Sequence, residues 1–162
     1  MHTRQNIEKA NRLIKSFPAE DLIAIKGICD RIQLAQENFL QYAAEYFDHC
    51  HTSCKGLCCR NIHVSHIVTL LDFIYILVLD RGLLPPMRQA ADRERLFPAN
   101  CLFLRNRDGP CMFGPTSKPE RCILTFCQDL HPLRPEIKAI RRGFNRLSRF
   151  VIFRKPLVWF GF

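Results

Sequence analysis

Nine of the 162 residues are cysteines, and eight of them fall into two groups of four. This distribution constrains the fold more than any other feature of the chain. The first group consists of Cys50, Cys54, Cys58 and Cys59, and the second of Cys101, Cys111, Cys122 and Cys127. Thiolate sulfur binds soft metals, and both tetrahedral zinc and iron–sulfur clusters use sets of four cysteines. The pattern therefore predicts one or two metal centres.

The compartment decides whether the thiols stay reduced. The opening segment, MHTRQNIEKANRLIKSF, interleaves charged and apolar residues, whereas a secretory signal needs an uninterrupted apolar run. We therefore expect a cytoplasmic protein, in which dense cysteines bind metal or carry out redox chemistry rather than form disulfides. The longest apolar run, residues 67–79, contains Asp72 and is shorter than the roughly 20 residues needed to cross a bilayer. It predicts a buried helix.

Periodicity and punctuation predict the architecture. Apolar residues follow a three-four alternation over residues 22–50, broken only by Gln36, and again over residues 137–151. Proline and glycine interrupt residues 97–136 and predict loops, with a short hairpin at 106–109. The expected fold is mainly α-helical with a loop-rich cysteine centre, the long N-terminal helix packing against the C-terminal one. We divide the chain into a helical extension (1–49), a cysteine-cluster domain (50–133) and a basic amphipathic helix with an aromatic tail (134–162).

Three short motifs surround the later cysteines: Cys101-Leu-Phe-Leu104, Asp108-Gly-Pro-Cys-Met-Phe113 and Lys118-Pro-Glu-Arg-Cys122. With the first cysteine group, they resemble in order the motifs of the cysteine-cluster proteins with zinc- or iron-chelating domains, a family named for its CxxCxxCC motif. The likeness covers about residues 50–127. Each spacer of the first motif is three residues here instead of two, and Lys118 stands where the family usually has arginine. The resemblance implies metal chelation without a defined chemical activity.

Within this resemblance, the expected metal ligands are Cys58, Cys59, Cys101, Cys111 and Cys122, followed by Cys54, Cys50 and Cys127. Side chains of adjacent residues diverge, so Cys58 and Cys59 fit a bridged site, two centres or one non-ligand better than one shared zinc. Some cysteines can instead be small buried hydrophobic residues, and we expect this of Cys29, which lies on the apolar stripe. One of four nearby histidines can complete a Cys3His site. These are His49, His51, His63 and His66.

The positive charge is concentrated at the C-terminal end. The whole chain has a formal charge of +9, and residues 134–162 contain eight cationic and one acidic residue, a net +7. Clustered cations favour an acidic protein partner, an anionic membrane surface or nucleic acid. A solvated helix face explains the same pattern.

Three functions fit these features. The first is a metal-binding protein with an iron–sulfur cluster or zinc, acting in electron transfer, metal handling or assembly with a protein partner. The second is an enzyme whose metal or cluster keeps an open ligand position. The third is a structural zinc module that presents the basic segment to nucleic acid or membrane. No phosphate-binding loop, nucleophile motif or acid–base pair assigns catalytic residues.

Overall fold

The computed structural model describes residues 2–44, 59, 64–92, 101–105, 110–125 and 131–156. The helices in these ranges are α1 (His2–Ser16), α2 (Ala19–Tyr42), α3 (Val64–Ile67), α4 (Leu70–Leu79), α5 (Leu84–Ala91), α6 (Glu120–Ile123) and α7 (Arg134–Arg154). Short 3-10 turns span Arg81–Leu83 and His131–Leu133. Over the same ranges no strand forms, although an isolated antiparallel bridge joins Leu104 to Cys111. The mainly helical class is confirmed.

Helix α4 lies at the centre of the described structure. Its sequence, LLDFIYILVL, is apolar on nearly every side, and residues 72–77 are all buried. Such a helix is stable only where other elements surround it, and α1, α2 and α7 pack against α4. The single buried helix predicted from the apolar run 67–79 is in fact divided. A capping box formed by Thr69 and Asp72 starts α4 separately from α3.

Helix α7 packs on α2, as the two apolar stripes predicted. The helices run antiparallel, because Asp21 near the start of α2 pairs with Arg154 at the end of α7. Ile32 of α2 packs directly against Gly143 of α7. A Cβ placed on Gly143 would lie 2.6 Å from Cγ1 of Ile32, so only glycine fits there without a shift. The buried residues of α7 are Ile140, Phe144, Leu147 and Val151.

Helix α5 also packs against α1, which already contacts α4. It begins at Leu84, and Pro85 and Pro86 occupy its first turn, where a missing N–H leaves no helical bond unmade. Arg88 donates two hydrogen bonds to the Glu8 carboxylate, which lowers the pKa of Glu8. The two residues are 80 positions apart in sequence, and their ion pair connects α5 to α1.

Some predictions fall on the remaining residues. The end of the long helix near Cys50, the turn at 106–109 and the tail at 157–162 lie outside the described residues. No helix within the described ranges has both the length and the apolar content that crossing a membrane requires.

Two helix-interior glycines give a test of the α2–α7 contact. Gly143→Ala should lower the free energy of unfolding by about 1–2 kcal/mol, because overpacking against Ile32 outweighs the better helix propensity of alanine. Gly27→Ala should raise it by about 0.5–1 kcal/mol, since the new methyl meets only Arg31 at 3.9 Å. Thermal and urea unfolding measure both. Shifts of the same sign in the two variants would contradict this account of the crossing.

Candidate metal centre

Four of the predicted ligands lie in one neighbourhood: Cys59, Cys101, Cys111 and Cys122. The N–H of Cys101 donates to the carbonyl of Cys59 at 2.8 Å, which joins the two cysteine groups through the backbone. Cys111 is brought beside Cys101 by the Leu104–Cys111 bridge. Cys122 lies on α6, where burial raises its pKa, with further contributions from the charges of Asp72 and of the other three cysteines. Four thiols from separate parts of the sequence therefore interact electrostatically.

Cys101 and Cys111 occupy matching turns. Each is followed two residues later by a phenylalanine whose N–H hydrogen-bonds to the thiol, Phe103 to Cys101 and Phe113 to Cys111. The two rings are buried, and their centroids are 4.8 Å apart. Phe103 also contacts Phe73 of α4, with centroids 6.0 Å apart. Each Cys-x-Phe unit thus supplies a sulfur with a hydrogen-bond donor and anchors its turn in the core.

The two turns are paired with each other. The N–H of Met112 donates to the carbonyl of Phe103 at 2.8 Å, and that of Arg105 to the carbonyl of Pro110 at 3.0 Å. This antiparallel pairing flanks the hairpin turn predicted at 106–109, which itself lies outside the described residues. The phenylalanine two residues after Cys101 and the one after Cys111 therefore anchor the two cysteine turns. The spacing of the motifs alone did not predict this role.

Burial controls the protonation of these thiols. It raises the pKa of Cys101 to about 12, and it raises those of Cys111 and Cys122 as well. Opposing it at Cys111 are the N–H of Phe113 and the positive charges of Lys118 and Arg105. Thiols in such surroundings favour the protonated form, and a metal cation would supply the charge that stabilises their thiolates. The chemistry of this donor set therefore fits a soft metal.

A buried amide holds the loop between Cys111 and Cys122. The side chain of Gln36, fully buried on α2, donates to the carbonyl of Lys118 at 2.8 Å and accepts from the N–H of Lys118 at 3.1 Å. The preceding part of the loop is held at Thr116, whose carbonyl accepts from the Tyr75 hydroxyl at 2.9 Å. Gln36, the polar residue that interrupts the apolar stripe of α2, thus makes two hydrogen bonds with the backbone of the loop.

Asp72 anchors the helix that carries Cys122. One carboxylate oxygen accepts from the N–H and hydroxyl of Thr69, both at 2.7 Å, and the other accepts from the N–H of Glu120 at 2.8 Å. Burial raises the pKa of Asp72, and these hydrogen bonds oppose that shift. Asp72 caps both its own helix and the first residue of α6.

Other predicted ligands are not brought to the cluster by the described residues. Cys50, Cys54, Cys58 and Cys127 lie outside those residues, as do His49, His51 and His63. His66 is exposed on α3. Within the ranges that the structure describes, no three Cys, His, Asp or Glu side chains are grouped so as to hold a metal ion. The neighbourhood of Cys59, Cys101, Cys111 and Cys122 is a cluster of thiols and not an assembled ligand set.

Cys29 belongs to the core, as predicted. It is fully buried on α2, and burial raises its pKa to about 12.

None of the family models, curated protein sequences or solved structures compared with this chain matches it. The likeness to the cysteine-cluster family therefore stays a prediction that depends on the four motifs quoted above.

Asp72→Asn tests the anchoring of α6. An amide has one acceptor oxygen, so either the Thr69 or the Glu120 N–H loses its partner, and we expect the free energy of unfolding to fall by about 1–3 kcal/mol. Asp30→Asn is the matched control, because Asp30 is exposed and, among the residues that the structure describes, pairs with Lys26 one turn away. It should change stability by less than about 0.5 kcal/mol. Equal melting temperatures for the two variants would contradict the anchoring role.

Proposed function

We propose that the chain is a metal-binding protein that chelates an iron–sulfur cluster or zinc through its cysteines and acts in electron transfer, metal handling or assembly with a protein partner. The observation that supports this most is the convergence of Cys59, Cys101, Cys111 and Cys122, which belong to both groups of the sequence. The remaining proposed ligands are Cys50, Cys54, Cys58 and Cys127.

The residues around the cluster suit anionic sulfur. An iron–sulfur cluster would supply one-electron transfer, and zinc would supply a structural cross-link. The N–H groups of Phe103 and Phe113 stabilise thiolate charge at Cys101 and Cys111, and hydrogen bonds to sulfur tune such centres. Lys118 adds positive charge, while its backbone is fixed by Gln36. A reducing compartment, and so the cytoplasm, is the setting we propose, because the thiols must stay available for metal.

The outer face of α7 supports a partner. Its cationic side chains are exposed, while its apolar side packs in the core. The exposed cations of α7 are Arg134, Lys138, Arg141, Arg142, Arg146, Arg149 and Arg154. A protein partner, an anionic membrane surface and nucleic acid would each be attracted to this face.

Metal analysis of protein purified without oxygen tests the proposal. We expect iron with stoichiometric acid-labile sulfide and visible absorption, or zinc without sulfide. Folded, metal-free protein that takes up neither iron and sulfide nor zinc on reconstitution would contradict metal binding.

A pair of cysteine variants tests the ligand assignment. Cys101→Ala should weaken metal retention by at least about tenfold, because even residues that only support ligands contribute 10–100-fold. Cys29→Ala removes the same atoms from the core and should keep the wild-type metal content, with a loss of stability alone. Circular dichroism checks that both variants fold. Equal metal content in the two would show that Cys101 is not a ligand.

A further inference from the structure

A groove on the surface lies away from the cysteine cluster. It runs between α2 and α7 and has a volume of about 480 Å³. Its apolar lining includes Ile23 and Ile28 from α2 and Phe150 from α7. Ile23 is 76% exposed, which is unusual for a large aliphatic side chain beside an open groove. An apolar surface is thus available for a partner's side chain.

Gly27 gives the groove its depth. Glycine is a poor helix former, and within the described ranges nothing fills the space that its missing side chain leaves. A Cβ there would meet only the Arg31 guanidinium, at 3.9 Å. At Gly143, by contrast, Ile32 fills the equivalent space. The open side of Gly27 allows another chain to approach the backbone of α2 closely.

Three arginines surround this apolar surface: Arg31 on α2, and Arg146 and Arg149 on α7. All three are exposed, and no carboxylate of the described residues forms an ion pair with any of them. Other cations of the same helices are paired, as Lys26 is with Asp30 and Arg154 with Asp21. The groove therefore concentrates positive charge that the described residues leave uncompensated.

We propose that this groove docks an acidic helical segment of a partner protein, with an apolar side chain beside Gly27 and carboxylates paired with Arg31, Arg146 and Arg149. Arginine forks match carboxylates in two-point hydrogen bonds, and an amphipathic helix is the ligand that an apolar groove between helices accommodates. The apolar lining and small volume favour such a segment over the extended phosphate backbone of a nucleic acid. The groove contains no cysteine, so the inference does not depend on metal binding.

Fluorescence anisotropy with a designed peptide tests this interaction. The probe is a fluorescein-labelled 16-residue helical peptide with leucines on one face and glutamates elsewhere, and its twin has glutamine in place of every glutamate. We expect the full-length protein to bind the acidic peptide at least about tenfold more tightly than the twin, and raised salt to weaken the binding. Equal affinity for the two peptides would overturn the proposal.

Single charge reversals locate the binding surface. Arg146→Glu and Arg149→Glu should each weaken peptide binding by about tenfold or more. Lys138→Glu makes the same charge change on the exposed face of α7, eight residues from Arg146, and should stay within about twofold of wild type. Gly27→Leu should abolish binding by filling the groove, while circular dichroism shows that the variant still folds. Equal weakening by Lys138→Glu would overturn the groove as the site.

Two other anionic partners are outcomes of the same assay. Vesicles of phosphatidylcholine and phosphatidylglycerol, or a single-stranded RNA, are titrated in place of the peptide. Binding of either that needs Arg146, without binding of the acidic peptide, would overturn the proposal in favour of that class of partner.

Discussion

Buried backbone groups must find hydrogen-bond partners, and this requirement decides where the loop between Cys111 and Cys122 can lie. The loop has little regular structure of its own, so the helices provide the partners. Gln36 hydrogen-bonds to both the backbone N–H and the backbone carbonyl of Lys118. The Tyr75 hydroxyl donates to the carbonyl of Thr116, and the Asp72 carboxylate accepts from the N–H of Glu120. These side chains belong to α2 and α4, whose other inward residues are mainly apolar. The position of Cys122 thus depends on three polar exceptions in an apolar core.

The cysteines are connected to the same core through aromatic rings. Phe103 and Phe113 contact each other, and Phe103 contacts Phe73 in the central helix. Because each ring follows its cysteine by two residues, the packing of the ring fixes the direction of the turn that carries the thiol. The positions of the thiols therefore depend on the packing of the helical core, and looser packing there would also move the sulfurs apart.

Apolar periodicity was sufficient to predict the two long helices, since the spacing of apolar residues in α2 and α7 indicates which face of each helix is buried. It also identified Gln36 and Asp72 as exceptions. What it could not reveal were their partners, which lie 82 and 48 residues away in sequence and are backbone groups that carry no side-chain signature. Capping chemistry at Thr69 divided a helix that hydropathy treats as continuous. The cysteine groups were evident from spacing, but their convergence depends on long-range pairing such as that of Cys101 with Cys59.

The contact between Gly143 and Ile32 has a mechanical consequence. On one side of it α2 and α7 form the arginine-lined groove, and on the other side Gln33 and Gln36 hold the loop at Thr116 and Lys118. The two helices also contact each other along the rest of their packed length, as far as the pair of Asp21 and Arg154. Because Ile32 leaves no clearance at Gly143, this one contact limits how closely α2 and α7 can approach, and so it sets the spacing of the helices both at the groove and beside the cysteine loops.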